Sequence, residues 1–330
     1  MRKKILLSFL ITWLLFTFNI TNLFFCYAEQ HFATSVLLPL KVSNANVDKL
    51  QDETVVYASG LSKTLVKSRQ QASKEFFEQK KIDKQEGTLT VATFNVLTRT
   101  SKRFLGNLTY IPLAKQFTTI LMTKAQVVGL NEINSRTDFN APELYSINGI
   151  YEDNVFGSNA IFQGYDYGNL IESTYIASRK RVGKYLPVAN TERRCYTNIV
   201  INVGAKKVSV YSTHLDFTSK AIVESQLAQL YAIVSADKTK YKIVMGDMNT
   251  NKLSSFKLFT DAGYKMVNTG QYLTYNSKSA LDHIIVSPNI DIISSGMITV
   301  TNVKDDITPK KTSNYGISDH NPIWARLRFN

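Results

Sequence analysis

Cysteine, tryptophan and histidine are all scarce in this chain. Of 330 residues only Cys26 and Cys195 are cysteine. Cys26 falls in the apolar N-terminal stretch, so a processed chain keeps Cys195 alone, forms no internal disulfide and must draw its stability from an apolar core. No cysteine or histidine stands near Cys195 at metal or redox spacing, so it is expected to be a small buried hydrophobe or a bystander. The same lack of a Cys/His ligand cluster argues against structural zinc. Trp13 and Trp324 are the two tryptophans, and His31, His214, His283 and His320 the four histidines. His31 and His283 fall in no pattern that suggests chemistry. Internal repeats and low-complexity segments are absent.

What is present is an ample core and an excess of positive charge. With 44% hydrophobic and 20% charged residues the chain is long enough for one large domain or two modest ones. The formal charge of +13 favours a polyanionic partner, nucleic acid or an anionic membrane surface. Met1 to Ala28 reads as a secretory signal: Arg2, Lys3 and Lys4, an apolar run from Ile5 to Tyr27, then Cys26-Tyr27-Ala28 with small residues at the recognition positions. The alternative is an uncleaved anchor, since the apolar run is long enough to span a bilayer. Phe25, bulky and directly before Cys26, disfavours a lipoprotein. Cleavage near Glu29 removes three positive charges and takes +13 to +10, so the basic character survives. The expected location is outside the cytoplasm, secreted or in the cell envelope. Oligomeric state leaves no mark in the sequence.

Residues 29–86 read as an N-terminal extension. Leu61 to Lys81 suits one or two amphipathic helices, with apolar residues at Leu61, Leu65, Val66, Ala72, Phe76 and Phe77. Gly87 marks the boundary of a main domain over 87–330. From Thr88 short β-rich segments alternate with helical ones. Strands are predicted over Thr88 to Val96, Val127 to Glu132, Leu170 to Ser178, Cys195 to Val203, Lys207 to Leu215, Lys242 to Asn249, Tyr272 to Tyr275, Leu281 to Val286 and Ile323 to Leu327. Helices are predicted over Pro112 to Met122, Ile222 to Val234 and Ser255 to Ala262. Several of these strands end on a polar residue, and strand ends are where open α/β sheets bind ligands.

The segments concerned are Thr93-Phe94-Asn95-Val96, Leu130-Asn131-Glu132, Ser212-Thr213-His214-Leu215, Gly246-Asp247-Met248-Asn249, Leu281-Asp282-His283-Ile284 and Ser318-Asp319-His320-Asn321-Pro322. In this order they resemble the endonuclease/exonuclease/phosphatase superfamily, over about residues 88 to 328. Asn131 stands where a glutamine is common, and Gln226 where many members carry arginine. The resemblance implies an α/β fold of the deoxyribonuclease I type, a four-layered sandwich of two packed mixed β-sheets flanked by helices. It also implies hydrolysis of a phosphodiester or phosphomonoester with a divalent metal, magnesium first, with manganese or calcium as alternatives. Carboxylate and amide oxygens suit a hard cation of that kind.

Residue roles follow from the same resemblance. Glu132 holds the metal, with Asn95 and Asp319 beside it. His320, oriented by Asp282, stabilises the phosphate or acts as a base. Asp247 positions or deprotonates the attacking water or handles the leaving oxygen, while Asn249 and His214 donate to phosphate oxygens. Which of Asp247 and His320 takes the first proton stays open. Arg179 and Arg194 are candidates for binding substrate phosphate, against the alternative that each belongs to a solvated charge run.

Three readings of function remain. The first is a secreted nuclease acting on DNA, and on RNA as well, drawn to its polyanion by charge. The second is a phospholipid phosphodiesterase of the sphingomyelinase kind, against which stands the lack of a Trp-rich hydrophobic hairpin. Contact with a membrane is expected only under that reading or if the leader stays uncleaved. The third is an inactive binding protein on the same scaffold, against which stands the full set of polar residues.

Overall fold

Side-chain alternation within the strands decides the layering. In β1 (Thr88–Asn95), Leu89 and Val91 point to one side, where they meet Ile201, Val210 and Ile243. Ala92 and Phe94 point to the other and meet Phe76, Phe117 and Ile120. In β8 (Tyr241–Asp247), Ile243 and Met245 join the first cluster, while Val244 packs on Leu227, Leu230 and Phe256. Both strands therefore bury two apolar faces, and two sheets lie face to face with helices outside each. The expected four-layered α/β sandwich is the architecture observed. The computed structural model describes residues 63–97, 110–134, 150–162, 165–189, 191–300 and 318–330. The expected leader over 1–28 and the extension before residue 63, with His31, lie outside the described residues. No helix among the described residues is long and apolar enough to cross a membrane.

The remaining elements are α1 (Lys63–Glu86), α2 (Tyr110–Met122), β2 (Val127–Asn134), β3 (Asp153–Phe162), β4 (Tyr165–Ser173), β5 (Arg179–Lys184), β6 (Cys195–Val203), β7 (Lys206–His214), α3 (Lys220–Ala236), α4 (Lys257–Asp261), β9 (Lys265–Met266), β10 (Asp282–Val286), β11 (Ile290–Met297) and β12 (Ile323–Phe329). One sheet runs β11-β12-β1-β2-β4-β3 and the other β5-β6-β7-β8-β10-β9. Each has a parallel pair at its centre, β1 with β2 and β7 with β8, and antiparallel pairing elsewhere. Helices α2 and α3 make the two crossovers, so the carboxyl ends of all four parallel strands lie at one end of the sandwich. Gly129 lets the sheets approach there, because a Cβ at that position would stand 2.7 Å from Ser212 Oγ of the facing sheet.

Strands β5, β9 and β11 were not expected, and three further differences from the sequence reading have local causes. The strand expected over Leu170 to Ser178 stops at Ser173. Ser173 Oγ accepts from Tyr175 N–H at 3.0 Å and donates to Tyr175 O at 2.8 Å, tying a corner where the chain leaves one sheet for the other. Of Tyr272 to Tyr275 only Tyr275 pairs as a β-bridge, because Asn268 Oδ1 accepts the Gly270 and Tyr272 N–H groups and curls the loop. Strand β3 was not expected, since Gly157, Ser158 and Asn159 dilute its alternation.

Helix α1 is fastened to the sheet at both ends. Leu65, Ala72 and Phe76 enter the core cluster of the first sheet's outer face, so Gly87 is a turn inside one packed body. At its last turn Asp83, fully buried, accepts from Thr88 at 2.7 Å, Thr90 at 2.6 Å, Gln126 at 2.5 Å and Arg326 Nε at 2.7 Å. Burial alone would raise the Asp83 pKa, but the bonds from Thr90, Arg326, Thr88 and Gln79 outweigh it and hold the carboxyl below its ordinary range. Removing one partner of a buried pair strands the other. Asp83→Ala is therefore expected to lower unfolding stability by about 3 kcal/mol, read as an earlier urea midpoint; a change within measurement error would contradict the fastening.

Candidate active site

The polar residues singled out in the sequence meet at the carboxyl ends of the parallel strands. Asn95 closes β1 and His214 closes β7. Asp247 closes β8 and stands in register beside both His214 of β7 and Asp282 of β10. Glu132 lies where β2 slips register between Leu130 and Ile133, with φ of +63°. Such a bulge re-aims a side chain at the cost of a backbone state that L residues avoid. Asn249 also takes a left-handed backbone, φ +49°, which asparagine tolerates in a tight turn.

Asp247 Oδ2 is the centre of the group. It accepts from Asn95 Nδ2 at 3.0 Å and lies 3.6 Å from Nε2 of both His214 and His320. The other oxygen, Oδ1, accepts the Asn249 N–H at 2.9 Å. Asn95 Nδ2 also donates to Glu132 Oε1 at 3.1 Å, so one amide spans two carboxylates. His320 Nδ1 lies 2.7 Å from Asp282 Oδ2. Ser318 Oγ receives the His320 N–H at 3.0 Å and donates to Asn95 O at 2.6 Å, fixing that loop to β1. Thr274 Oγ1 accepts the Asp282 N–H at 3.1 Å, and Tyr275 lays its ring 5.0 Å from that of His320.

Burial sets the charges. Burial alone would lower the His320 pKa, but the carboxylates of Asp282 and Asp247 overcome it and raise it to about 10. Burial pushes Asp247 up to about 6, against the opposing charge of His320. His214 is driven well below its usual value by burial, then by Arg194 and His320. At neutral pH the site thus holds a cationic His320 and a neutral His214 on either side of Asp247.

Arg194 joins this group and Arg179 does not. Arg194 precedes β6 at the same end of the sheet, is 3% exposed, reaches Glu192 at 3.4 Å and lies over the Phe217 ring at 5.8 Å. Its Nε and Nη1 are buried without a hydrogen-bond partner, an arrangement that an anion in the cleft would complete. Arg179 pairs across the sheet with Val200, Ser209 and Lys242, five residues before Asp247 and roughly 17 Å away at the usual strand rise. It binds Asp237 at 3.0 Å instead. Asp319 is half-buried beside His320 and adds to the field that raises its pKa. Asn249 Nδ2 spends one N–H on Leu215 O at 2.8 Å.

Two neighbours escaped the sequence reading. Tyr167 of β4 lies against Arg194 and near Glu132, and Asn169 of β4 accepts from Asn131 Nδ2 at 2.9 Å and donates to Cys195 O at 2.9 Å. The sequence gives no cue to either, since both stand before Leu170, where the sequence reading begins that strand. The group fits a divalent cation. Glu132, Asp247, Asp282 and Asp319 outnumber His320 and Arg194, Asp282 Oδ1 is buried without a partner, and Asp247, Asp282 and His320 present ligand atoms within 4.8 Å of one another. His320 is committed to Asp282, and Glu132 joins the group through Asn95, which donates to both Glu132 and Asp247. Asn95 turns its NH2 toward Glu132 and its Oδ1 to the Leu97 N–H, and so orients that carboxylate.

The raised His320 pKa makes stability depend on pH in the metal-free protein. A group whose folded pKa exceeds its unfolded value of about 6.5 stabilises the fold fully below that pH. Its contribution is lost as pH rises to about 10. In chelator, the urea midpoint should fall between pH 7 and 10, and Asp282→Asn should move that fall toward neutrality. A flat midpoint over this range would refute the pairing.

The comparisons with known proteins agree with this geometry. A family model described as Endonuclease/Exonuclease/phosphatase family matches residues 92–320. Among solved structures, an endonuclease/exonuclease/phosphatase from Beutenbergia cavernae is 18% identical with a TM-score of 0.56, covering 74% of this chain and 72% of its own. A mannosyl-6-phosphatase from Bacteroides thetaiotaomicron is 16% identical with a TM-score of 0.58, over 73% of this chain and 100% of its own. The human Nocturnin catalytic domain with bound sulfate is 16% identical with a TM-score of 0.52, over 74% and 96%. A search of curated proteins gave no significant match. At these identities the structures speak for the fold alone, and the family model, spanning more than half of the chain, speaks for descent. The chain belongs to the endonuclease/exonuclease/phosphatase family of phosphate ester hydrolases.

Proposed function

We propose that the chain is an exported, magnesium-dependent phosphodiesterase whose substrate is nucleic acid, DNA first and RNA as well. The observation that carries the chemistry is the Asp282, His320 and Asp247 array, with Asn95 spanning Asp247 and Glu132. A divalent ion held by Glu132 and Asp319 would neutralise phosphate oxygen charge as the pentacoordinate state forms. Asp282 fixes the His320 ring through Nδ1 and keeps it cationic, so Nε2–H is a donor for a phosphate oxygen rather than a base. Asp247 Oδ2, raised by burial to about 6, is then the group that takes the proton of the attacking water. His214 Nε2 and the second N–H of Asn249 Nδ2 are further donors to the phosphate. Arg194 supplies the two buried donors that lack a partner. The net charge of +13 supports a polyanion, and the leader expected over residues 1–28 supports export.

One observation favours the phospholipid reading as second choice. Ile161 at the β3–β4 hairpin end, Leu186 after β5 and Phe217 after β7 are 68%, 72% and 66% exposed. All three stand at the site end of the sandwich, where the aliphatic Ile161 and Leu186 offer little to a nucleotide. A substrate panel separates the readings. Plasmid DNA, RNA and sphingomyelin liposomes are each incubated with the protein, with magnesium and with chelator. Magnesium-dependent cleavage of the nucleic acids is expected; cleavage of liposomes alone would overturn the nucleic-acid reading. In the same assay His320→Ala and Glu132→Ala should each lower turnover by about 100- to 10,000-fold with the melting transition retained, and near-normal turnover in either would refute its role.

A further inference from the structure

His283 follows Asp282 in β10 and, by strand alternation, faces the other way. Asp282 and Ile284 point between the sheets, while His283 and Ile285 point to the outer face under the helices. There the imidazole is 1% exposed and lies 4.7 Å from the Phe256 ring. Its cross-strand partner is Gly246, which has no side chain to separate the ring from the turn that follows. Both ring nitrogens meet backbone carbonyls: Nε2 lies 2.8 Å from Thr250 O and Nδ1 lies 3.1 Å from Asn268 O.

These two carbonyls belong to the two loops that present the chemistry. Thr250 ends the turn that begins at Asp247, and that turn carries Asn249 in its left-handed state. Asn268 opens the loop that leads to Thr274, which receives the Asp282 N–H, and to Tyr275, which pairs with His320. The Nε2 contact is the shorter of the two, the geometry of an Nε2–H that donates to Thr250 O.

We propose that His283 is a positioning residue: from behind the sheet its Nε2–H clamps the Asp247 to Thr250 turn and so holds Asp247 and Asn249 at the phosphate. The proposal rests on the reading of those two residues as groups that act on a phosphate. A displacement of the turn by a fraction of an ångström is enough to lower turnover, because reacting groups must stay in attack geometry. The binding group Arg194 lies on another segment, before β6.

Isosteric replacements separate the two nitrogens. In His283→Gln the amide nitrogen can reach where Nε2 stands, and in His283→Asn it can reach only where Nδ1 stands. His283→Phe keeps the ring against Phe256 and removes both contacts. With bis(p-nitrophenyl) phosphate and magnesium, the Phe and Asn variants are expected to lose about 10- to 100-fold in kcat with KM within about threefold, and Gln to recover most of it. Hydrogen exchange gives a readout that needs no turnover. The Met248 and Asn249 amides, which donate to Leu281 O and Asp247 Oδ1, should exchange faster in the Phe and Asn variants and at the native rate in Gln. Wild-type kcat in His283→Phe, equal losses in Gln and Asn, or unchanged exchange in Asn would overturn the proposal. Should His283→Phe fail to fold, the Gln and Asn pair still decides. Absence of hydrolysis by the unsubstituted protein would instead remove the phosphodiesterase reading and leave the exchange comparison to judge the clamp.

Discussion

Buried amides join the two sheets at the functional end, and Asn131 among them bonds to both β7 and β8. Asn131 of β2 accepts the Asp247 N–H on its Oδ1 at 3.0 Å and donates from Nδ2 to Thr213 O at 3.0 Å and to Asn169 Oδ1 at 2.9 Å. Elsewhere the sheets meet through aliphatic side chains, which fix distance but tolerate sliding. A hydrogen-bonded bridge with no solvent to compete has one register, so it aligns β2 with β7 and β8. Glu132 is the residue after Asn131, and His214 follows Thr213. The bridge thus sets how the residues offered by one sheet face those offered by the other.

Charge at this end is organised against its own repulsion. Two fully buried carboxylates, Asp247 and Asp282, meet here with the partly exposed Glu132 and Asp319 near them, and burial raises Asp247 against the opposing charge of His320. Asn95 places an amide between Asp247 and Glu132, His320 takes a proton and lies between Asp282 and Asp247, and Arg194 stands among Glu192, Glu132 and Tyr167. The remaining negative charge is what gives a divalent ion its purchase. The orphaned Asp282 oxygen, the unpartnered Arg194 nitrogens and the left-handed φ of Glu132 and Asn249 are features that folding alone would not select. They mark the place where the fold gives up stability for a task.

The strands that carry these residues were readable because their apolar runs are short, β-branched and closed by polar groups, as in Ile243-Val244-Met245 before Asp247. Gln226, where arginine is common in the family, turns out to accept the Asp216 N–H at 2.8 Å, so the departure is absorbed behind the loop after β7. Tyr167 and Asn169 were not readable, since nothing local distinguishes a strand residue that touches Arg194 or Asn131 from one that faces water. Arg179 misled for the matching reason. A basic residue at a strand boundary looks the same at either end of a sheet, and only the register against Val200, Ser209 and Lys242 places it far from Asp247.

By itself the sequence determined the strands that matter and the residue types available for chemistry, because hydrophobic period and strand-end polarity are local properties, while the class of fold came from the order of its motifs through their resemblance to a known family. The tertiary structure alone decided which of those residues meet and in what charge state. It brought Asp282 to His320 and both to Asp247, set His283 behind the sheet rather than in front of it, and left Arg179 outside. Pairing across strands and between sheets is a contact between distant segments. Burial, which raises one carboxyl and silences one histidine, exists only once the layers have closed.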